Sequence, residues 1–198
     1  QNKGLAYARN MGITNASGDI LVFLDSDMEL NADWLENVYT ILNDNAVMGV
    51  MGQYCLPRDT TPNVLDKYLY SSMRGAKKYH KTADAIHFKY FLFSNTAIKR
   101  EALNQAGNFN EKFEKYGGED TELSIRLYQH YSRGLFYYDH LIAFHHGQKS
   151  LKEFCENMKE YGKNNLPMLL KMYPEHKNSL GGYWLDSFGG LLLFNRFV

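Results

Sequence analysis

Residues 19–28 read Asp-Ile-Leu-Val-Phe-Leu-Asp-Ser-Asp-Met: an unbroken apolar run stopped by aspartates at 25 and 27. Such a run predicts a strand over Ile20 to Leu24, buried on both faces of a sheet. In a strand, positions i and i+2 project to the same side. Asp25 and Asp27 are therefore expected to converge at its carboxyl end, where open α/β sheets bind ligands. Two carboxylates in close approach repel each other. A hard divalent cation with oxygen ligands, Mg²⁺ or Mn²⁺, relieves that repulsion. The pair alone carries little weight, since 11 aspartates in 198 residues give about 0.6 such pairs by chance. Its place directly after the apolar run is what marks it.

Working outward, the chain alternates helical and extended patterns. Leu5 to Met11 reads as helix, and Asn15 to Asp19 as a turn. After the aspartates, Asn31 is placed to cap a helix carrying Trp34, Leu35, Val38, Ile41 and Leu42. Ala46 to Cys55 reads as strand, Pro57 to Asn63 as loop, and Val64 to Met73 as helix. His87 to Phe93 and Thr96 to Lys99 look extended, followed by a short helix closing near Gly107. Glu119 to Tyr131 is helical, and Leu135 to His145 reads as two short strands around Asp139-His140. Ser150-Leu151-Lys152-Glu153 is a capping box opening a helix with Leu151, Phe154, Cys155, Met158 and Tyr161 on one face. The sum is an α/β fold with mixed strand order in its second half.

Composition narrows the function. Lys+Arg and Asp+Glu are both 22, a net charge of zero, and 44% of residues are hydrophobic. A nucleic-acid partner would want a basic face, so none is expected. Cys55 and Cys155 have no metal-ligand spacing and suggest no disulfide framework, which fits a reducing cytoplasm. The chain opens on Gln1 without a signal peptide and closes on Phe197-Val198 without a polar tail. It reads as a piece of a longer protein.

The stretch "NKGLAYARNMGITNASGDILVFLDSDMEL" resembles the central part of family 2 glycosyltransferases: N-x-G-x-x-x-A-R-N-x-G, then A-x-G-(D/E), then a strand ending in D-x-D. Asn2, Gly4, Ala8, Arg9, Asn10 and Gly12 match, as do Ala16, Gly18 and Asp19. "FLFSNTAIKREALNQAGNFNEKF" resembles the family's acceptor-side segment, "GGEDTELSIRL" its Glu-Asp motif, and "IAFHHGQKSLKEF" its late histidine segment. The ordered match runs from Asn2 to about Gly162. The family's opening strand, helix and strand are absent here, so no base-contacting residue is assigned. On this reading residues 1–162 are a partial catalytic domain and 163–198 a helical, apolar extension.

The resemblance implies a GT-A fold, a Rossmann-like mixed sheet flanked by helices. It also implies a nucleotide-sugar donor, Mn²⁺ or Mg²⁺, and an inverting hexosyl transfer to a hydroxyl of a glycan or lipid-linked saccharide, as in polysaccharide biosynthesis at the cell envelope. Carried over, Asp27 binds the metal and Asp25 lies closer to the donor ribose or sugar, with a share in the metal site. Arg9 and Asn10 lie near the nucleotide, and Ser94 and Asn95 face the donor sugar or acceptor. Asp120 is the general base, with Glu119 next in line. His145 or His146 supplies a further metal ligand, with His145 matching the family position better. Glu122 is expected on the helix surface, paired with Arg126.

Two other readings stay open at this level. A haloacid-dehalogenase-like phosphatase also uses an apolar strand ending in D-x-D, though Met28-Glu29 depart from its usual continuation. A degenerate, non-catalytic glycan-binding relative is the second. The apolar, aromatic stretch from Tyr183 to Val198 is shorter than a membrane span of ~20 residues. It reads either as core or as an interfacial segment placing a cytoplasmic enzyme at the inner face of the membrane.

Overall fold

A mixed sheet of six strands carries the molecule, in a computed structural model that describes residues 3–182. Helix α1 (Leu5–Asn15) leads into β1 (Ile20–Leu24), then β2 (Met28–Leu30), α2 (Trp34–Leu42) and β3 (Gly49–Cys55). Two short helices follow, α3 (Val64–Leu69) and α4 (Ala76–Tyr79), then β4 (Asp84–Ala85), β5 (Asn95–Lys99) and α5 (Arg100–Ala106). The second half holds α6 (Glu119–His130), β6 (Leu135–His145), α7 (Leu151–Lys163) and α8 (Asn165–Met172). The strands run in the order β1-β5-β3-β6-β2, with β4 also on β6, and only β3 and β6 are parallel neighbours.

Helices cover both faces. On one, Phe23, Phe93, Ile98 and Leu135 from the strands and from the segment before β5 meet Leu103 of α5 and Leu123 and Leu127 of α6. On the other, Trp34, Val38 and Leu42 of α2 close over Val50, Ala97 and Leu141. That α2 face is the 3.6-residue stripe visible in the sequence, although Leu35 stays 64% exposed.

The structure departs from the sequence reading in several places. β1 is buried on one face only: Leu21 and Phe23 enter the core, while Val22 and Leu24 are exposed. β1 lies at the end of the sheet, where α2 reaches no further than Ile20. Asn31 does not cap α2; its Oδ1 accepts the Ile142 N–H instead, which ties the end of β2 to β6. The stretch from His87 to Phe93 is a 3₁₀ turn over Phe88–Tyr90 rather than a strand. Its Phe91 carbonyl accepts from Ser124 Oγ of α6, so part of its backbone bonding goes to a helix side chain and not to a ladder. The third helix stops at Leu69, leaving Met73 exposed beyond it. Leu135 to His145 is a single strand, bulged where Gly52 pairs with Tyr138 but Gln53 with Ile142.

Beyond Gly162 the described chain packs back on the sheet's helical layer. Leu169 is fully buried, and Tyr173 Oη donates to Glu122 of α6 at 2.8 Å. Glu122 is therefore buried, contrary to the surface position expected for it, while its pairing with Arg126 stands at 2.7 Å.

Candidate active site

Asp25 to Asp27 form a turn and not a strand end: β1 stops at Leu24, and Met28 N–H returns to the Asp25 carbonyl at 3.1 Å. The i, i+2 argument therefore does not apply, and the two aspartates part company. Both line a cleft of about 1480 Å³, together with Arg9, Tyr70, Ser94, Asp120 and His145. Asp25 faces Arg9, with 3.6 Å between its Oδ1 and the guanidinium. Asp27 faces His145, with 3.2 Å between Oδ2 and Nε2.

Arg9 is the electrostatic centre of the first group. α1 delivers it, nearly buried, to Asp120, with which it makes a direct ion pair, and to Glu119 at 3.3 Å. Asp120 also accepts the Phe93 N–H at 3.1 Å. Three carboxylates thus share one guanidinium. Burial raises the pKa of Asp25, Glu119 and Asp120, and Arg9 opposes that rise in each. Glu119 sits behind Asp120: its carboxylate is buried off the cleft wall, and its Oε2 has no hydrogen-bond partner.

The geometry of α6 explains why these acids sit where they do. Gly117 and Gly118 take positive φ of 75° and 96°, and a Cβ at Gly118 would press on Phe113 and Asn165. The turn is held from α8: Asn165 Nδ2 donates to the carbonyls of Lys115 at 2.9 Å and Gly117 at 2.5 Å. The acids of the first turn lie at the positive end of the helix dipole.

The second group is Asp27, His145 and Tyr70. Tyr70 Oη lies 2.5 Å from His145 Nδ1, and partial burial pushes the Tyr70 phenol up to about 12. It keeps its proton at neutral pH and can give or accept one hydrogen bond at Nδ1, leaving Nε2 toward Asp27. A Cβ at Gly147 would collide with Asp27 Oδ2 and crowd the His145 ring. The bare glycine keeps that corner open. Neighbouring ligands on an octahedral ion with bonds of about 2.0–2.1 Å lie about 3 Å apart, so one carboxylate and one imidazole nitrogen at 3.2 Å fit a hard divalent ion. No cluster of three or more His, Cys, Asp or Glu suited to a metal exists among the described residues.

Four expected site residues stand elsewhere or differently. His146 turns away from the cleft to Glu29, 2.8 Å off, as neighbours on an extended chain point to opposite sides. Asp25 is not joined with Asp27 and His145 in a metal cluster, because the turn aims it at Arg9. Asn10 does not line the cleft; its amide bridges the Phe109 carbonyl, the Phe109 N–H and Glu111, locking α1 to the loop before α6. Asn95 is fully buried, accepting from Trp34 Nε1 and donating to the Gln53 and Leu141 carbonyls, so it bolts strands together beneath the cleft. Ser94 does line the cleft, its Oγ donating to Tyr54 Oη at 3.0 Å. Sequence reasoning missed Tyr70, Gly147 and Asn165. Of these only Gly147, directly after the two histidines, left a local signal.

A mixed sheet with its acids gathered in a cleft beyond β1 is the GT-A architecture of glycosyltransferases. Residues 1–107 match the sequence profile of Glycosyl transferase family 2, and the chain belongs to that family. Membership sets aside the phosphatase reading of the Asp-x-Asp segment. The hyaluronan synthase of Pasteurella multocida is 28% identical over 187 residues, covering 79% of this chain. The chain spans 19% of that relative's length. Among solved structures, S. aureus TarS 1–349 in complex with UDP-GlcNAc aligns with a TM-score of 0.57 at 14% identity, covering 94% of this chain and 57% of that one. Glucosyl-3-phosphoglycerate synthase from Mycobacterium tuberculosis, in complex with Mn²⁺, UDP-glucose and glycerol 3-phosphate, aligns at 0.51 and 18% identity, covering 85% of this chain and 54% of that one. At these identities the likeness is one of fold. No helix among the described residues is long and apolar enough to cross a membrane. The Tyr183 to Val198 stretch, with its expected interfacial role, lies outside the described residues, as does Asn2.

Proposed function

We propose that this chain carries the catalytic centre of an inverting, metal-assisted glycosyltransferase that moves a sugar from a nucleoside-diphosphate sugar to a hydroxyl of a glycan or lipid-linked acceptor. The observation that carries the reading is that one cleft holds both the Asp27–His145 pair, spaced so that a divalent ion would fit, and a buried carboxylate at its wall, Asp120.

Asp27 and His145 would hold the ion, and Mn²⁺ or Mg²⁺ bound there would neutralise charge developing on the leaving diphosphate. Tyr70 holds the His145 ring in place through Nδ1. Ser94 and Asp25, both on the cleft wall, would face the donor. Asp120 takes the proton of the acceptor hydroxyl while that oxygen attacks the anomeric carbon from the side opposite the diphosphate, which inverts the centre. Its place on the wall, with Glu119 behind it, supports Asp120 as the base. Arg9 aims that carboxylate and opposes the rise that burial imposes on its pKa.

A screen of the intact protein against nucleotide sugars with Mn²⁺, reading released nucleoside diphosphate, tests the reading. Absence of release with every common donor and a broad acceptor pool would defeat it. Once a donor is known, Asp27→Ala is expected to abolish its Mn²⁺-dependent binding while leaving the melting temperature near normal. Calorimetry showing unchanged binding would remove Asp27 from the metal site. Tyr70→Phe should weaken Mn²⁺ binding by about 10–100-fold, as loss of a partner to a metal-ligating histidine does. An unchanged Mn²⁺ titration would leave Tyr70 a packing role only.

A further inference from the structure

The rim of the cleft is basic although the chain as a whole is neutral. Arg74, Lys77, Lys78, Lys89 and Lys149 line it, against three acids, Asp25, Asp27 and Asp120. Those acids are engaged on the floor, two by Arg9 and one by His145. Among the described residues none of the five rim cations has a carboxylate within ion-pair distance.

Four of them rest instead on aromatic rings. Arg74 lies 4.7 Å from the Tyr68 ring centre, Lys78 5.0 Å from Tyr79, Lys89 5.7 Å from Tyr90 and Lys149 5.9 Å from Tyr116. Tyr79 and Tyr90 stack on each other at 5.2 Å, so Lys78 and Lys89 flank one aromatic shelf. Lys77 Nζ donates to the Tyr70 carbonyl at 2.9 Å. Cation–ring contacts keep the positive charge available to an incoming anion, which a carboxylate partner would cancel.

The donor does not need all of this charge. A divalent ion held by Asp27 and His145, together with one rim cation, would balance the two charges of its diphosphate, leaving the other rim cations in excess. We propose that they recognise the acceptor, and that the acceptor is an anionic saccharide bearing carboxylate or phosphate groups along its chain. The inference rests on the glycosyltransferase reading for the word acceptor, but the anion site itself is open to an independent test.

The intact protein, saturated with UDP and Mn²⁺, is titrated with three probes: a glucuronate-containing tetrasaccharide, a glycerol phosphate oligomer, and a neutral N-acetylglucosamine tetrasaccharide. At least one anionic probe is expected to bind about tenfold or more tightly than the neutral one and to weaken as salt rises. Which anionic probe binds distinguishes carboxylate from phosphate. Lys78→Gln with Lys89→Gln should lower that affinity by about tenfold at an unchanged melting temperature, and the double arginine variant should retain it. Three results overturn the proposal: equal binding of the neutral probe, no binding of either anionic probe, or anion binding seen only when UDP is left out. The last would assign the cations to the donor. Anion binding without nucleotide-sugar turnover would instead defeat the transferase reading and leave the anion site standing.

Discussion

Asp120→Asn is expected to lower turnover by roughly 10²–10⁴, the usual contribution of a positioned acid–base group, while donor and metal affinity barely change. The reason is local. The substitution keeps the size of the side chain but removes the basicity that accepts the hydroxyl proton. Three carboxylates crowd one guanidinium at this site, so removing one charge relieves repulsion, and the melting temperature should hold or rise. A residue that merely favoured the helix dipole would show the reverse, a modest loss of stability with activity following the folded fraction. Glu119→Gln is expected to cost less, because its carboxylate lies off the cleft wall and reaches the acceptor side only through the Arg9 it shares with Asp120. Steady-state kinetics with melting curves on both variants decide it. Near-normal turnover in Asp120→Asn would take the base role away from Asp120.

Arg9→Ala carries the largest expected effect on stability. It leaves Asp120, Glu119 and Asp25 without their shared cation, and breaking a buried pair from one side costs roughly 3–5 kcal/mol. That is a large share of a typical total of about 5–15 kcal/mol. The loss should depend on pH in a defined direction. Burial already raises these carboxyl pKa values in the folded state, and losing Arg9 raises them further. The folded variant then binds protons more tightly than the unfolded chain. The stability that these three groups contribute is therefore greatest below the ordinary carboxyl range and falls as pH rises through the raised values. Denaturant melts near pH 5 and near pH 8 should show a larger deficit at the higher pH. An equal deficit at both would mean that Arg9 acts by packing, for instance on the Phe109 ring 5.2 Å away, and not by charge. Arg9→Lys should recover part of the stability, since a single ammonium cannot serve three carboxylates in the planar fork geometry.

Much of the framework was legible in the residues. The apolar run marked β1 to the residue, Ser150 with Glu153 marked the start of α7, and the glycines before Glu119 marked the start of α6. These are local signals: a strand run, a capping box and a turn act over a few neighbours, and the chain obeys them wherever it folds. The motif order from Asn2 onward carried the family in the same way, because it is a property of the one-dimensional string. What the residues could not assign was which polar groups face the cleft. Asn10 and Asn95 look as chemically able as Ser94 but are bound into the frame by partners 99 and 42–61 residues away.

The sequence by itself determined the fold class, the family and the short set of acids and histidines from which a site could be built. Only the tertiary structure decided which of them meet. Asp25 and Asp27 are separated by a turn that points one at α1 and the other at β6. The choice between His145 and His146 depends on the bulge in β6: before it Leu135 and Tyr137 face one core cluster, and after it Leu141, of the same parity, faces the other. No count of alternating residues from Leu135 survives that inversion. The pairing of Arg9 with Asp120, 111 residues apart, likewise exists only once α1 and α6 pack on the same side of the sheet. Contacts of that range are set by packing and register, which no short stretch of the chain contains.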